Sequence, residues 1–287
     1  MRDASPDVAR LIDTEHMGVE HSIGAWESDG LLIDPGPGST VEALLAGLGE
    51  LEPRAILLTH IHLDHAGATG TLARRFPDAR VYVHEIGAPH VVDPSRLLKS
   101  ATRLYGEDRM AALWGEVLPV DSERVTALRG GESIEGFEVV AAPGHAAHHV
   151  VYVDRADGTA YVGDVAGVRI PPGEVTVMPT PPPEIDVEAW AGSIARLQEH
   201  GLERLRLTHF GEAPDAAAQL EAASESLRRT AELARPLDHD MFIRELGEII
   251  DGQPSEAAAS MRAAMPPEQV WLGLERYWRK RGEQQGS

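Results

Sequence analysis

The sequence predicts an α/β fold, and three observations support this prediction. Between about residue 31 and residue 211, short apolar or β-branched runs alternate with longer runs of helical periodicity. Most of the short runs are bounded by Gly, Pro or Asp, which are typical of turns. The 287 residues include 43% hydrophobic and 25% charged residues, ordinary proportions for a folded chain that exclude wholesale disorder.

The elements follow in order along the chain. Strands are predicted over residues 31–34, 55–59, 81–84, 137–141, 150–153 and 205–208. Helices are predicted over residues 41–48, 66–76 and 187–200. Residues 94–120 are long for a connection and carry apolar residues at helical spacing, which indicates a helical insertion. Six prolines within residues 171–183 exclude a helix or a central strand there and predict an ordered surface loop.

A helical C-terminal extension is predicted after residue 211, where strand signals stop and Ala-rich helical patterns continue. Trp271, Leu274 and Trp278 are spaced i, i+3, i+7 and form one face of a helix. We therefore expect two domains, residues 1–211 and 212–287. The apolar face of the extension must cover either the first domain or a second copy of the chain, so a homodimer stays open.

Charge and composition limit the partners. Lys and Arg number 26 against 46 Asp and Glu, and the formal net charge of −20 disfavours nucleic acid and anionic membranes. No basic stretch followed by an apolar run opens the chain, and no apolar run approaches the ~20 residues that span a bilayer, so we expect a cytoplasmic protein. Cysteine is absent, so any transition-metal site must use His, Asp and Glu.

One short segment concentrates potential metal ligands where a predicted strand gives way to a helix. It reads THIHLDHAG and carries His60, His62, Asp64 and His65. In extended backbone, residues two apart point to the same side, so His60 and His62 can hold one cation. As the chain turns into the helix, the other two can face a second cation. Further candidates follow three other strand ends, and these are His145, Asp164 and His209.

These motifs resemble those of the metallo-β-lactamase superfamily, whose hydrolases carry HxHxDH, then GH, then GD, then a final His. The resemblance runs from about residue 33 to residue 211, and it extends to glyoxalase II-like members. It implies an αββα sandwich: two mixed sheets face to face, helices outside, and metals at one edge. The fold class expected is therefore this four-layer sandwich with a helical insertion and a helical C-terminal extension.

The resemblance also implies roles for individual residues. The first metal would be held by His60, His62 and His145, the second by Asp64, His65 and His209, and Asp164 would bridge them. Asp34, in the segment LIDPGPGS, would contact a ligand rather than a metal, with a turn-forming role as the alternative. His149, four residues after His145 as in the TPGHTxGH segment of glyoxalase II-like members, would line the site, or else be a hydrogen-bonded core histidine.

The expected function is metal-dependent hydrolysis of a small carboxylic ester, thioester or lactone. Two cations about 3.5–4 Å apart can share a water and lower its pKa toward about 7, so no protein nucleophile is needed. Asp64 would orient the bound hydroxide or accept a proton, and His149 is the second candidate catalytic residue. Imidazole and carboxylate ligands suit two zinc ions best, with iron or manganese as alternatives. Phosphodiester hydrolysis, iron-dependent sulfur or oxygen redox chemistry and non-catalytic ligand sensing are the competing functions.

Substrate selection must come from segments outside the shared ligand set. The insertion carries Arg103, Tyr105 and Trp114, which offer polar and aromatic groups to a small-molecule substrate. We expect the insertion and part of the extension to cap the metals, with Tyr105 or Trp114 facing the pocket. Simple packing on outer helices is the alternative. His84, at a strand end, is a further candidate for lining the pocket.

Overall fold

The computed structural model describes residues 9–183 and 185–285, and the chain divides between Leu128 and Arg129 into two compact units. Each unit contains one mixed sheet with six strands. The strands of the first unit are β1 Arg10–Asp13, β2 Gly24–Ser28, β3 Leu31–Ile33, β4 Ala55–Leu57, β5 Arg80–His84 and β6 Val125–Leu128. Its α-helices are α1 Val41–Leu48, α2 Leu63–Ala66, α3 Thr69–Arg75, α4 Ala88–Val92, α5 Ser95–Tyr105 and α6 Glu107–Trp114.

The sheet of the first unit runs in the order β1-β2-β3-β4-β5-β6. β1, β2 and β3 pair antiparallel, whereas β3 through β6 pair parallel. Leu44 of α1 and Leu72 of α3 pack on Leu32, Ile56 and Val81, which lie on one face of the sheet. Because the carboxyl ends of parallel strands meet at the same edge, the segments that follow β3 and β4 lie side by side.

The second unit contains the remaining strands and the longest helices. Its strands are β7 Ser133–Ile134, β8 Phe137–Ala141, β9 Val150–Asp154, β10 Thr159–Gly163, β11 Arg204–Leu207 and β12 Gly211–Ala213. Its helices are α7 Val187–Glu199, α8 Ala216–Ala234, α9 His239–Asp251, α10 Ser255–Ala264 and α11 Pro267–Gln285. The sheet order is β12-β11-β10-β9-β8-β7. Among the described strands of this second sheet, only β10 and β11 pair parallel.

Aspartate side chains start three of these helices. Asp186, Asp215 and Asp238 each accept a hydrogen bond from the backbone amide three residues later, across 2.9, 2.9 and 3.0 Å. A carboxylate at this position satisfies an amide that has no partner inside the helix and interacts favourably with the helix dipole. The acidic residues therefore also define where α7, α8 and α9 begin.

The helices after residue 211 pack within the second unit. Leu246 of α9, Met261 of α10 and Leu274 of α11 share one buried cluster with Val168 and Ile170. Trp271 belongs to the same cluster, so the predicted apolar face of the last helix is covered by this chain. The three-residue β12 extends the sheet two residues beyond the point where strands were expected to stop.

Most predicted elements are present, and one expectation about their surroundings needs revision. The insertion is helical, as α5 and α6 show, and the proline-rich segment forms no helix or named strand. That segment is not wholly a surface loop, however, because Met178, Pro179 and Thr180 are buried. Among the described helices, none is both long enough and apolar enough to cross a membrane. The boundary expected after residue 211 stays a prediction.

Candidate metal centre

Four of the predicted ligands lie on the turn between β4 and α2 in the first unit. His60 and His65 are buried, whereas His62 and Asp64 are partly exposed. Nε2 of His60 and Nδ1 of His62 approach to 3.0 Å, as expected for residues two apart in extended backbone. The rings of His60 and His65 are 4.0 Å apart, centre to centre. The turn therefore gathers three imidazoles and one carboxylate at a single place.

Asp34 follows β3 and binds the neighbouring strand end. Its Oδ1 accepts a hydrogen bond from the amide of Thr59 (2.8 Å), and its Oδ2 accepts one from the Thr59 hydroxyl (2.7 Å). The same Oδ2 lies 2.9 Å from Nδ1 of His65. A carboxylate in this network accepts only, so Nδ1 of His65 carries a proton, and in the neutral ring Nε2 then keeps its lone pair.

Thr59 extends this control to a second histidine. Its hydroxyl oxygen lies 3.1 Å from Nδ1 of His60. Because the single hydroxyl proton is donated to Asp34, the oxygen must accept from His60. Nε2 of His60 then holds a lone pair directed toward Nδ1 of His62. A proton on His62 or a shared cation satisfies that contact, so this donor set fits a metal ion.

Three further predicted ligands come together in the second unit. Asp164 immediately follows β10, His145 lies on the loop between β8 and β9, and His209 follows β11. Oδ2 of Asp164 is 3.2 Å from Nε2 of His145, and Oδ1 is 3.5 Å from Nε2 of His209. All three side chains are buried. A carboxylate whose two oxygens face different imidazoles has the arrangement expected of a bridging ligand.

The backbone fixes the tautomer of His145. Its Nδ1 lies 2.9 Å from the carbonyl oxygen of Pro179, which can only accept a hydrogen bond. Nδ1 therefore carries a proton, and when the ring is neutral Nε2 presents its lone pair toward Asp164, a contact that a shared cation satisfies. A histidine that ligates a metal is commonly held this way through its other ring nitrogen.

His149 faces the backbone beside Asp164. Its ring is completely buried, and its Nε2 accepts a hydrogen bond from the amide of Asp164 across 3.2 Å. The lone pair of Nε2 is therefore used to hold the turn after β10. The catalytic role expected for His149 stays a prediction, and the structure gives this side chain a direct contact with the backbone of a predicted ligand.

The family model of the metallo-beta-lactamase superfamily matches residues 27–243, about three quarters of the chain. The chain belongs to the metallo-beta-lactamase superfamily. This membership confirms the predicted family, the α/β sandwich class and the expectation of a metallo-hydrolase fold. The matched residues extend beyond residue 211 into α9, and α10 and α11 lie outside them.

Several curated proteins match parts of this superfamily member. The uncharacterized protein YobT of Bacillus subtilis is 30% identical over 146 residues, which cover 50% of this chain and 60% of YobT. The hydroxyacylglutathione hydrolase of Hamiltonella defensa is 36% identical over 122 residues, which cover 42% of this chain and 37% of that enzyme. The matches thus span less than two thirds of these relatives.

Solved metallo-beta-lactamase superfamily structures have the same fold. ST1585 of Sulfolobus tokodaii aligns with a TM-score of 0.64 at 24% identity, covering 79% of this chain and 87% of that protein. TTHA1429 of Thermus thermophilus aligns with a TM-score of 0.62 at 22% identity, covering 96% and 94%. TTHA1623, solved in a di-iron-bound form, aligns with a TM-score of 0.52 at 26% identity, covering 78% and 95%.

The insertion contributes an aromatic group beside the HxHxDH turn. Tyr105 and Trp114 belong to one apolar cluster with Leu63, the residue between His62 and Asp64. The Tyr105 ring meets Trp114 edge to face at 5.1 Å. Trp114 is buried, and its other neighbour is His16, whose ring stacks on it at 5.5 Å. Trp114 therefore packs between two rings, and Tyr105 brings a hydroxyl group to the same cluster.

The hydroxyl of Tyr105 is a hydrogen-bond donor at neutral pH. Burial raises the pKa of Tyr105, and the carboxylate of Asp64 raises it further. Arg103, the third residue named for the insertion, is exposed. His84 is buried and its Nδ1 accepts the amide of Ile86 across 3.2 Å, so this ring closes the turn after β5.

Sequence reasoning did not identify Thr59 or Pro179, which orient His60 and His145. Thr59 precedes the first motif histidine directly, and its hydroxyl was a usable signal because buried strand ends seldom carry a polar residue without a partner. Pro179 contributes only its carbonyl group, which leaves no signal in the residue type. His and Asp clusters able to hold a metal ion are present among the described residues.

Proposed function

We propose that the two ligand sets together hold a pair of divalent metal ions. His60, His62 and His145 would hold the first, Asp64, His65 and His209 the second, with Asp164 shared. The observation that carries this proposal is the tautomer control: Asp34, Thr59 and the carbonyl of Pro179 leave a lone pair on Nε2 of His65, His60 and His145. Neutral imidazoles that keep the Nε2 lone pair are the form that binds metal.

Zinc is the metal we propose, because a ligand set made only of imidazoles and carboxylates suits it well. Iron is the first alternative, since a relative with 26% identity is known in a di-iron-bound form. Manganese is the second alternative. These ions differ in colour, magnetism and mass, so elemental analysis separates them directly.

The reaction we propose is hydrolysis of a small carboxylic ester, thioester or lactone. A bound metal pair would supply an activated water and polarise the bond under attack. Asp64 is the accessible carboxylate of the set, with its side chain 21% exposed, so it is the group that orients the attacking water or takes its proton. His62 is the accessible imidazole, and the substrate would therefore approach from the side of His62 and Asp64.

Two observations favour this class over phosphodiesters. The local match to a hydroxyacylglutathione hydrolase, at 36% identity over 122 residues, supports a thioester or a similar small carbonyl compound. The net charge of −20 opposes a polynucleotide substrate.

A sensor without catalysis is disfavoured because all seven ligand positions of the motif set are filled. Iron-dependent redox chemistry would become the leading function if iron co-purified and no ester were cleaved.

The test compares His62→Ala with His90→Ala on a panel of esters, thioesters, lactones and phosphodiesters. Both histidines lie in the first unit and are partly exposed, but only His62 belongs to a proposed ligand set. We expect the wild type and His90→Ala to cleave a carbonyl substrate at similar rates. His62→Ala should lose more than the roughly 10- to 100-fold that loss of an outer hydrogen-bond partner costs. Equal rates in all three proteins would refute the proposal.

Two expectations about the whole protein stay predictions. The cytoplasmic location is one of them. The homodimer through the C-terminal extension is the other, and the packing of Trp271 and Leu274 inside their own unit removes the apolar face that suggested it.

A further inference from the structure

Two consecutive residues of the proline-rich segment connect His145 with the last helix. The carbonyl of Pro179 accepts from Nδ1 of His145 across 2.9 Å. Thr180 is 1% exposed, and its hydroxyl donates to the carbonyl of Val270 on α11 across 2.7 Å. Pro179 and Thr180 thus link a proposed metal ligand to the C-terminal helix, all within the second unit.

The helix also touches this segment through its backbone. A Cβ atom at Gly273 would lie 1.9 Å from the carbonyl oxygen of Thr180 and 2.8 Å from its carbonyl carbon. No side chain fits at that distance, so α11 and the segment approach each other as closely as glycine allows. The backbone of α11 at Gly273 therefore packs directly against the backbone of the proline-rich segment at Thr180.

The segment needs such an anchor because its own backbone offers few hydrogen bonds. Pro179, Pro181 and Pro182 have no amide proton, so this part of the chain cannot be held by a ladder of backbone hydrogen bonds. The Val168–Val177 bridge holds the chain on the N-terminal side of Pro179. The Thr180 hydroxyl and the close contact at Gly273 hold it on the C-terminal side.

We propose that α11 is a positioning element of the metal centre, which holds the Pro179 carbonyl through Thr180 and Gly273 so that Nδ1 of His145 stays hydrogen-bonded to it. The inference rests on the proposed function in taking His145 as a ligand. α11 begins at Pro267, beyond the matched family residues 27–243, so this support is supplied by the extension. The extension would then be part of the working centre as well as a packing module.

The first arm of the test needs no metal. Full-length protein labelled with ¹⁵N-histidine is stripped by a chelator, and the ring signals of His145 are assigned by their loss in His145→Gln. We expect the Nδ1 proton of His145 to be hydrogen-bonded and slow to exchange with solvent in the wild type, and to exchange fast in Thr180→Val, which removes the hydroxyl and keeps the shape. Thr180→Ser should restore the wild-type signal, and Gly273→Ala should resemble Thr180→Val.

A matched control loosens the same helix elsewhere. Trp278→Phe removes the 2.8 Å hydrogen bond from Nε1 of Trp278 to the carbonyl of Ala231 on α8, and leaves the path to His145 intact. It should keep the wild-type Nδ1–H signal of His145 at a melting temperature similar to that of Thr180→Val. A wild-type Nδ1–H signal in both Thr180→Val and Gly273→Ala, or equal disturbance by Trp278→Phe, would overturn the inference.

The second arm adds Co²⁺ as a spectroscopic probe of affinity. We expect Thr180→Val to bind Co²⁺ about 10- to 100-fold more weakly than the wild type, the usual cost of losing an outer partner of a ligand. Equal affinity in the two proteins would contradict the inference. If Co²⁺ left the His145 signals of the wild type unchanged, the proposed function would fail, while the comparison of the Nδ1–H signals would still judge the role of α11.

Discussion

Asp34 accepts the Nδ1 proton of His65 across 2.9 Å, and both side chains are fully buried. The same carboxylate fixes the Thr59 hydroxyl, which in turn accepts from His60. One acidic residue therefore determines which nitrogen keeps its lone pair on two histidines that we assign to different metals. Asp34 has a left-handed backbone, with φ of 48°, which turns the chain after β3 so that its side chain faces the end of β4.

Asp34→Asn should weaken metal binding by about 10- to 100-fold. Asparagine has one acceptor oxygen where Asp34 has two, so either the Thr59 amide or His65 loses its acceptor. Zinc titration of chelator-stripped protein measures the change. Asp29→Asn is a matched control because Asp29 also has a positive φ but is exposed. Wild-type affinity in Asp34→Asn would show that the tautomer control is unnecessary.

His149→Ala should reduce metal content more than it changes the pH profile of whatever activity remains. The reason is that Nε2 of His149 accepts the Asp164 amide, so the ring positions a ligand instead of exchanging protons with substrate. Metal analysis together with a pH–rate profile separates these roles. His200→Ala, a histidine outside both ligand sets, serves as the control. Full metal content with loss of one limb of the pH profile would instead assign His149 a catalytic role.

Tyr105→Phe should alter kcat or KM for the preferred substrate by about tenfold, which corresponds to the free energy of about one hydrogen bond. The ring keeps its contact with Trp114, so metal content and melting temperature should not change. Trp114→Ala is a poorer probe, because emptying a buried tryptophan site costs about 3–5 kcal/mol. Unchanged steady-state constants in Tyr105→Phe across the substrate panel would remove the insertion from the substrate site.

The free energy of unfolding should fall as the pH rises above about 10. The hydroxyl of Tyr277 donates to both carboxylate oxygens of Glu188, across 2.9 and 2.8 Å, and burial followed by this hydrogen bond raises the pKa of Tyr277. Tyr277 therefore ionises at a lower pH in the unfolded chain than in the folded chain, and this ionisation stabilises the unfolded state. Urea titrations of the wild type and Tyr277→Phe check this. A slope no shallower in the variant would exclude the Tyr277 contribution.

Most interior strands and several helices could be predicted because their patterns are local, but the interior strand β2 was missed. α1 spans Val41–Leu48 and β8 spans Phe137–Ala141, as the periodicity indicated. Edge strands such as β1 and β7 escaped prediction, because an edge strand is short and half-exposed and so carries a weak alternation signal. The burial of Thr180 also escaped, since nothing in a proline-rich segment shows which distant helix will cover it.

The candidate ligands could be named from the sequence because the chemistry requires His and Asp at strand ends. The groups that orient them divide into two kinds. Asp34 and Thr59 act through side chains and leave a trace in residue type, whereas the Pro179 carbonyl could stand on any residue. The link through Thr180 to Val270 depends on a separation of 90 residues, which only the folded chain reveals.

The most direct test of a dinuclear metallo-hydrolase is the hydrolysis rate of a small thioester or ester as metal is returned to stripped protein. We expect no turnover without metal, a rise with added Zn²⁺ and a plateau at two equivalents per chain. A plateau at one equivalent would contradict the paired site. Full turnover in the stripped protein, or turnover that survives in His62→Ala, would contradict metal-dependent hydrolysis itself.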